Sequence, residues 1–301
     1  MLKCLLLINP RSRSGGDVQS QVQRLFEQPG VELVGRKVHA PEDLAELLDS
    51  SVGRDADRII IGGGDGTLNA CLPALMRAQI PVAVLPLGTA NDFAHNLGIP
   101  SDLDGATTIA LTGQERRIDV GCVNGRAFLN VATIGLGPEV TRHLTSELKA
   151  RLGFLSYPRA LMSAYREARP FRVRLEAEEQ HAMRLRCIHL AIGNGRYYGG
   201  GAIVNHPARV DDGLLHLSAL RPRPLWRLLL QAPLFGFGWH RPAPDAVAIV
   251  SRELVVETDP PKHISADGEI MSNTPATFEL RPQALSILVP RINRGAGIRG
   301  V

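Results

Sequence analysis

Over the first third of the chain, short apolar runs alternate with amphipathic stretches. Leu5–Ile8 has the unbroken apolar character of an interior strand. Asp17–Glu27 follows as a helix, with Val18, Val22, Leu25 and Phe26 on one face. Val31–Val38 predicts a strand, and Pro41–Ser50 a helix with proline near its start. Arg58–Ile61 predicts a strand, Thr67–Arg77 a helix bent by Pro73, and Val82–Leu85 a strand. This βαβαβαβ order predicts a doubly wound parallel sheet with helices on both faces. Ligands bind such sheets outside the carboxyl ends of the strands. The glycine-rich and polar segments here follow strands, as that rule requires.

The pattern changes near Arg116. Strand-like runs then dominate: Arg117–Cys122, Ala127–Thr133, Phe171–Ala177, Arg184–Gly193, Leu214–Leu220, Ala248–Thr258 and Thr277–Pro282. Asn124-Gly125, between the first two, signals a two-residue hairpin. Helical patterns interrupt the series near Phe154–Glu167 and at Pro224–Leu234. The expected organisation is an α/β domain over residues 1–116 and a second domain, a mainly antiparallel β-sandwich, over 117–284. Leu285–Val289 is expected to return, with the segment to 301, to the first domain.

Composition narrows the function classes. Hydrophobic residues make up 44% and charged residues 21%, a globular balance. No apolar run approaches the roughly 18–20 residues of a transmembrane segment, and the apolar start is too short for a signal peptide. The expected location is cytoplasmic, with transient peripheral association to the inner membrane face. Cys4, Cys71, Cys122 and Cys187 are scattered, which favours free core thiols over disulfides or zinc. The formal net charge of +4 suits anionic membrane or phosphate partners, and a compositional bias explains it equally well. Basic residues are not interleaved with aromatics, which argues against a nucleic-acid partner. The stretch Arg221–Arg241 holds both tryptophans, with arginines at its flanks. It reads as a core helix around Trp226 and as a membrane-facing aromatic loop at Phe235–Trp239. Oligomeric state is left open, a homodimer included.

Ile60-Ile61-Gly62-Gly63-Gly64-Asp65-Gly66-Thr67-Leu68-Asn69 is the segment richest in chemistry. A buried strand runs into a glycine turn and a helix start, where unpaired amides and close backbone approach suit a phosphate. Thr67 can cap the helix and touch a phosphate. Asp65 offers a carboxylate suited to a Mg²⁺ shell or a hydroxyl. No Gly-Lys-Ser/Thr follows, so this is not a Walker loop. Thr67 stands where the dinucleotide fingerprint needs its last glycine. The bland reading is a tight strand-to-helix turn. A second polar segment, Gly88-Thr89-Ala90-Asn91-Asp92-Phe93, leaves the next strand.

Together these two segments resemble the catalytic domain of the diacylglycerol kinase family. Asn9-Pro10 with Arg11 to Gly16, Gly193-Asn194-Gly195-Arg196-Tyr197-Tyr198-Gly199-Gly200-Gly201, Asp211-Asp212-Gly213-Leu214-Leu215 and Asp267-Gly268-Glu269 extend the resemblance in the family's order. It points to the bacterial YegS-like branch. The resemblance implies an α/β nucleotide domain of the kind shared by NAD kinases and diacylglycerol kinases. It implies ATP and Mg²⁺ as cofactors and a lipid hydroxyl at a membrane surface as acceptor. Asn9, Arg11, Gly64, Asp65, Gly66, Thr67, Leu68, Asn69, Thr89 and Asp92 then fall on the nucleotide site, with Asp65 also among the catalytic acids. Related sequences often carry lysine in the first loop. Here Arg11 and Arg13 are the cations, and arginine also binds phosphate well. The acidic motif implies the proton acceptor, with Asp267 the first choice and Glu269 the alternative; by itself Asp-Gly reads as an ordinary β-turn. Arg209, Asp212 and Leu214 match a Mg²⁺ site, Arg209 and Leu214 through backbone carbonyls. The competing readings are an NAD kinase-like small-molecule kinase and an inactive lipid- or nucleotide-binding module.

Overall fold

The computed structural model describes residues 1–9, 15–37, 43, 46–48, 50, 53, 55–143, 156–178, 180–195, 197–198, 202–203, 208–222, 224 and 247–291. Arg11, Arg13, the Pro41–Ser50 helix as a whole, and the Pro224–Leu234 and Phe235–Trp239 segments therefore lie outside the described residues, Pro224 apart. The chain divides into two compact units, Met1–Arg117 with Leu285–Val301, and Ile118–Ala284.

In the first unit the elements run β1 (Leu2–Ile8), α1 (Gly15–Phe26), β2 (Val31–Lys37), β3 (Arg58–Gly63), α2 (Asp65–Ala78), β4 (Val82–Pro86), α3 (Asp92–Asn96) and α4 (Leu103–Thr112). Their strands lie parallel in the order β2-β1-β3-β4. The central strands β3, from Ile59 on, and β4 are continuously apolar and buried, as a parallel sheet covered on both faces demands. Helix α2 continues through Pro73. Helix α4 went unpredicted, because Gly105 and its run of threonines lower helix propensity. Its start is nevertheless capped by Asp102, which accepts from the Gly105 amide at 2.7 Å. Its end is held by Arg58, whose guanidinium donates to the carbonyls of Ala110 and Leu111 at 2.5 and 2.6 Å.

In the second unit come β5 (Gln114–Val123), β6 (Arg126–Phe128), β7 (Val131–Gly135), α5 (Leu136–His143), α6 (Ser156–Glu167), β8 (Phe171–Ala177), β9 (Gln180–Cys187) and β10 (His189–Gly193). The short β11 (Tyr197–Tyr198) and β12 (Ala202–Ile203) precede β13 (Leu215–Leu220), β14 (Val247–Ser251), β15 (Glu253–Asp259), β16 (His263–Ala266), β17 (Glu269–Asn273) and β18 (Ala276–Val289). The first residues of β5 and the last of β18 belong to the first unit, where β18 pairs parallel with β4 through Ile287 and Val82. One antiparallel sheet runs β14-β13-β10-β7-β16-β17, and β15, β8, β9 and the front of β18 form a second. Phe128, Ile134, Phe171, Leu190, Leu217, Leu254, Ile264 and Phe278 pack into one core drawn from both sheets.

Three expected strands are in fact two each. Ala127–Thr133 breaks at Leu129–Asn130, Arg184–Gly193 at Ile188, and Ala248–Thr258 at Arg252. Asn124 and Gly125 both adopt positive φ, +48° and +78°, and close the β5–β6 hairpin that their dipeptide announces. No helix among the described residues is long and apolar enough to cross a membrane. All four cysteines are free and buried, and burial pushes the thiols of Cys4, Cys71, Cys122 and Cys187 up. They are core thiols, poor in the reactive thiolate.

His189 begins β10 with its Nδ1 sealed from solvent and unpartnered. Burial pushes the imidazole down to about 4, opposed by a backbone hydrogen bond at Ile134. The folded protein thus holds the ring neutral, whereas the unfolded chain protonates near the ordinary histidine value. Between those values the unfolded state binds more protons, so stability falls as pH drops below about 6.5 and levels off below about 4. Unfolding free energies from denaturant titrations at pH 7 and pH 5 should differ by about 1–2 kcal/mol more in the wild type than in His189→Gln. Equal pH dependence in the two proteins would contradict this assignment.

Candidate functional site

The glycine turn of the first unit is built by close approach. β3 ends at Gly63, Gly64 is the N-cap residue of α2 in extended conformation, and the helix begins at Asp65. Thr67 is therefore in the first turn and does not cap it. Its hydroxyl instead accepts from Asn9 Nδ2 at 2.9 Å, and the Asn9 amide donates to the Gly62 carbonyl at 3.0 Å. Thr67 folds back over Gly63, where a Cβ would lie 2.6 Å from its side chain. A Cβ on Gly88 would lie 2.6 Å from the Gly64 Cα, so the two polar turns touch backbone to backbone. Gly66 is the opposite case, since a Cβ there meets nothing within 4 Å. The first turn of α2 consequently presents an open flank at its amide end.

The carboxylate of Asp65 leaves this turn and accepts the amides of Asp92 and Phe93 at 3.0 and 2.9 Å. It caps α3 from outside, because the N-cap residue Asn91, at φ +51°, supplies no side-chain cap. Asn91 closes its own loop: it accepts from the Gly88 amide at 3.0 Å and donates to the Gly88 and Pro86 carbonyls at 3.1 and 3.3 Å. Thr89 is exposed at the bend, while Leu68 and Asp92 are buried. Asn69 is buried on α2, and its Oδ1 has no hydrogen-bond partner.

In the second unit Asp267 and Gly268 adopt φ +48° and +87° and form the two-residue turn between β16 and β17. The β-turn reading of this dipeptide is thus correct for the backbone. Its side chain does more: Asp267 accepts the amides of Leu129 at 2.6 Å, Asn130 at 3.0 Å and Val131 at 3.1 Å. Glu269 stands exposed at the start of β17. Asp212 closes the loop before β13, accepting the amides of Arg209 and Leu214 at 2.9 and 3.0 Å, with His216 Nε2 at 2.9 Å. Burial pushes the Asp212 carboxyl up, but His216 and the two amides outweigh it and hold the group below the usual carboxylate range. Arg209 itself pairs with Asp211 at 3.0 Å. Asp119, almost wholly buried, accepts the amides of Gly213 and Gln283 at 2.8 Å each.

Among the described residues, Glu139, His143 and Glu167 bring ligand-type atoms within 4.8 Å of one another. The Arg142 guanidinium already stands 2.7 and 2.6 Å from the two carboxylates and supplies the cation that this α5–α6 cluster needs.

Residues 3–123 match the diacylglycerol kinase catalytic domain, and residues 130–289 match the YegS C-terminal NAD kinase beta sandwich-like domain. A Pseudomonas aeruginosa protein named probable lipid kinase YegS-like is 34% identical over 293 residues, covering 96% of this chain and 94% of that one. The chain belongs to the YegS-like lipid kinase family. A Klebsiella pneumoniae relative of the same name is 31% identical over 289 residues, 95% of each chain. Among solved structures, a diacylglycerol kinase from Bacillus anthracis superposes with a TM-score of 0.73 at 26% identity, over 95% of this chain and 96% of that one. Family membership makes the chain a phosphotransferase. Its α/β unit and antiparallel sandwich are the kinase fold that the sequence pattern and the resemblance had implied.

In this YegS-like chain, Asn9 follows β1, Gly64 caps α2, Asp65, Gly66, Thr67, Leu68 and Asn69 lie in the first turns of α2, and Thr89 and Asp92 lie at the bend and start of α3, all in the first unit. Asp267 and Glu269 flank one turn of the second unit, and Arg209, Asp212 and Leu214 form a separate loop there. Asn91 is the N-cap residue of α3, as a plain turn reading of its segment allows, and Asp119 carries a structural role that no motif assigned. Asp119 left one trace, an acid inside the apolar run Ile118–Val123. Because Gly64 and Gly88 touch, Gly88→Ala should force the turns apart and cost about 1–3 kcal/mol of stability. Gly66→Ala, with open space around it, should leave the melting temperature near wild type while weakening nucleotide binding. Thermal melts with binding isotherms check both; a Gly88→Ala protein as stable as wild type would refute the close approach.

Proposed function

We propose that the chain transfers the γ-phosphoryl group of ATP to a lipid hydroxyl at a membrane surface, with diacylglycerol or a related phospholipid as acceptor. The observation that carries this reading is the Gly63–Thr67 turn. With the Thr67 amide already donating to the Gly64 carbonyl at 3.0 Å, its strand-to-helix geometry offers the Asp65 and Gly66 amides and an open Gly66 flank to phosphate oxygens. Asn69 adds a buried acceptor without a partner, which a hydroxyl or amino donor of a nucleotide would satisfy. The Asp65 link to α3 keeps this turn and the Thr89 bend in register. The positive formal charge of +4 favours approach to anionic lipid.

The donor sets fit Mg²⁺ on the lone pairs they retain. Asp65 keeps lone-pair capacity beyond its two amides, and Asp212 retains less after three donors. Asp212 with the Arg209 and Leu214 carbonyls would hold an ion that retains most of its waters. When bound, Mg²⁺ supplies charge neutralisation for the transferring phosphoryl group.

Of the two acids beside Gly268, we assign the proton acceptor to Glu269. The oxygens of Asp267 already accept three amides, which leaves little capacity for a substrate hydroxyl. Glu269 is exposed, and its side chain makes no hydrogen bond or ion pair among the described residues. Asp267 then positions the turn that carries the base. Glu269→Gln should lower turnover by about 10²–10⁴-fold with near-normal ATP binding and melting temperature. Asp267→Asn should lower turnover and melting temperature together. Wild-type turnover in Glu269→Gln would return the role to Asp267 or Asp65. Labelled-ATP assays on diacylglycerol vesicles, on a total lipid extract and on NAD test the acceptor class, and a product from NAD alone would overturn the lipid reading.

The Asp212 loop has its own readout. Millimolar Mg²⁺ should raise the melting temperature of the wild type and leave that of Asp212→Asn unmoved. Overlapping Mg²⁺ titrations of the two proteins would remove this cation site.

A further inference from the structure

Asn194 follows β10 and is buried to 1% exposure. Its Nδ2 donates to the Asp119 carbonyl at 2.7 Å and to the Leu129 carbonyl at 3.3 Å. Its backbone amide donates to the Asn130 carbonyl at 2.8 Å. Its Oδ1 is sealed from solvent with no partner, a penalty that an apolar residue of similar size would avoid. A carboxamide kept at that cost has a use for its N–H groups.

The use lies in the break between β6 and β7. In a regular strand successive amides point to opposite sides. Here the amides of Leu129, Asn130 and Val131 converge on one carboxylate, that of Asp267, and form a concave nest for an anion. Turning three consecutive amides one way leaves their carbonyls to be satisfied elsewhere. Asn194 takes two of them, and Val131 gives its carbonyl to the Asp267 amide at 3.0 Å. The segment 129–131 is therefore held between a carboxamide on its carbonyl side and a carboxylate on its amide side. Asp267 at φ +48° leads through Gly268 into Glu269, which pairs with Ala266 across the turn.

We propose that Asn194 is a positioning residue for phosphoryl transfer, acting through the Leu129–Val131 nest and Asp267 to place Glu269. The proposal rests on the assignment of Glu269 as proton acceptor. Removing the carboxamide frees the Leu129 carbonyl, loosens the nest and lets the Asp267–Glu269 turn drift. Displacement of a reacting group on the ångström scale is enough to impair transfer severely.

The test compares Asn194→Ala, Asn194→Ser and Glu269→Gln with wild type, using labelled ATP and diacylglycerol vesicles. Asn194→Ala should lower kcat by about tenfold or more with the KM for ATP nearly unchanged. The acidic limb of its kcat–pH profile should shift, and hydrogen exchange at the amides of residues 129–131 should quicken. Asn194→Ser, which retains one donor, should fall between. A folded Asn194→Ala protein with wild-type kcat, or with lowered kcat but an unshifted pH profile, overturns the proposal while an inactive Glu269→Gln leaves the base in place. Wild-type turnover in Glu269→Gln defeats the base assignment and this inference with it. If neither Asn194 variant folds, the residue is a determinant of the fold and the positioning role is overturned.

Discussion

Parallel strands β3 and β4 pair through Gly63 and Pro86, and the ladder runs on as the Leu87 amide donates to the Gly63 carbonyl at 2.9 Å. Both chains then leave the sheet side by side, and a side chain on Gly64 or Gly88 would prise them apart. That contact sets where α2 starts, and hence where its free amides lie. It also brings the Asp65 carboxylate within reach of the first amides of α3. Asn9, at the end of β1, completes the assembly through Thr67. The glycine turn is thus fixed by backbone proximity, with side chains added as ties.

Carboxylates serve here as backbone ties, between distant stretches of chain at Asp65, Asp119 and Asp267 and within one loop at Asp212. Asp65, Asp119, Asp212 and Asp267 each accept at least two backbone amides. Hydrogen bonds from amides to an ionised acceptor are stronger than neutral pairs, so an acid can hold an irregular turn that lacks ladder bonds. Residue type marks all four as candidates for chemistry. Geometry separates them from Glu269, whose oxygens are not committed in this way.

The hydrophobic pattern made most of the scaffold legible. Unbroken apolar runs marked β1, β3 and β4, and Asn124-Gly125 marked a hairpin whose two residues need positive φ. The pattern failed where a break costs no hydrophobicity. Leu129 and Asn130 are both buried, so nothing in the run 127–133 betrays the nest that separates β6 from β7. β16 and β17 went unseen because Ser265, Ala266 and Ser272 are too small or too polar to mark a strand. At the site, motif residues were legible as groups, but not their division of labour. Thr67 read as a cap because helix starts favour threonine, and only the structure shows its hydroxyl taken by Asn9. The three amides that Asp267 accepts leave no mark in the sequence.

Strand β18 carries a further consequence. Its Leu285–Val289 end is buried in the first unit beside β4, yet it is the last strand among the described residues and is synthesised long after β4. Until it leaves the ribosome, β4 is an open sheet edge of continuously apolar character, the kind that invites pairing with other chains. The nascent first unit therefore cannot close its sheet on its own schedule, as N-terminal domains ordinarily do during translation. Its completion waits until the whole second unit has been made. Truncation near the carboxyl end would injure the N-terminal unit, and a fragment ending near Arg117 would emerge with that edge uncovered.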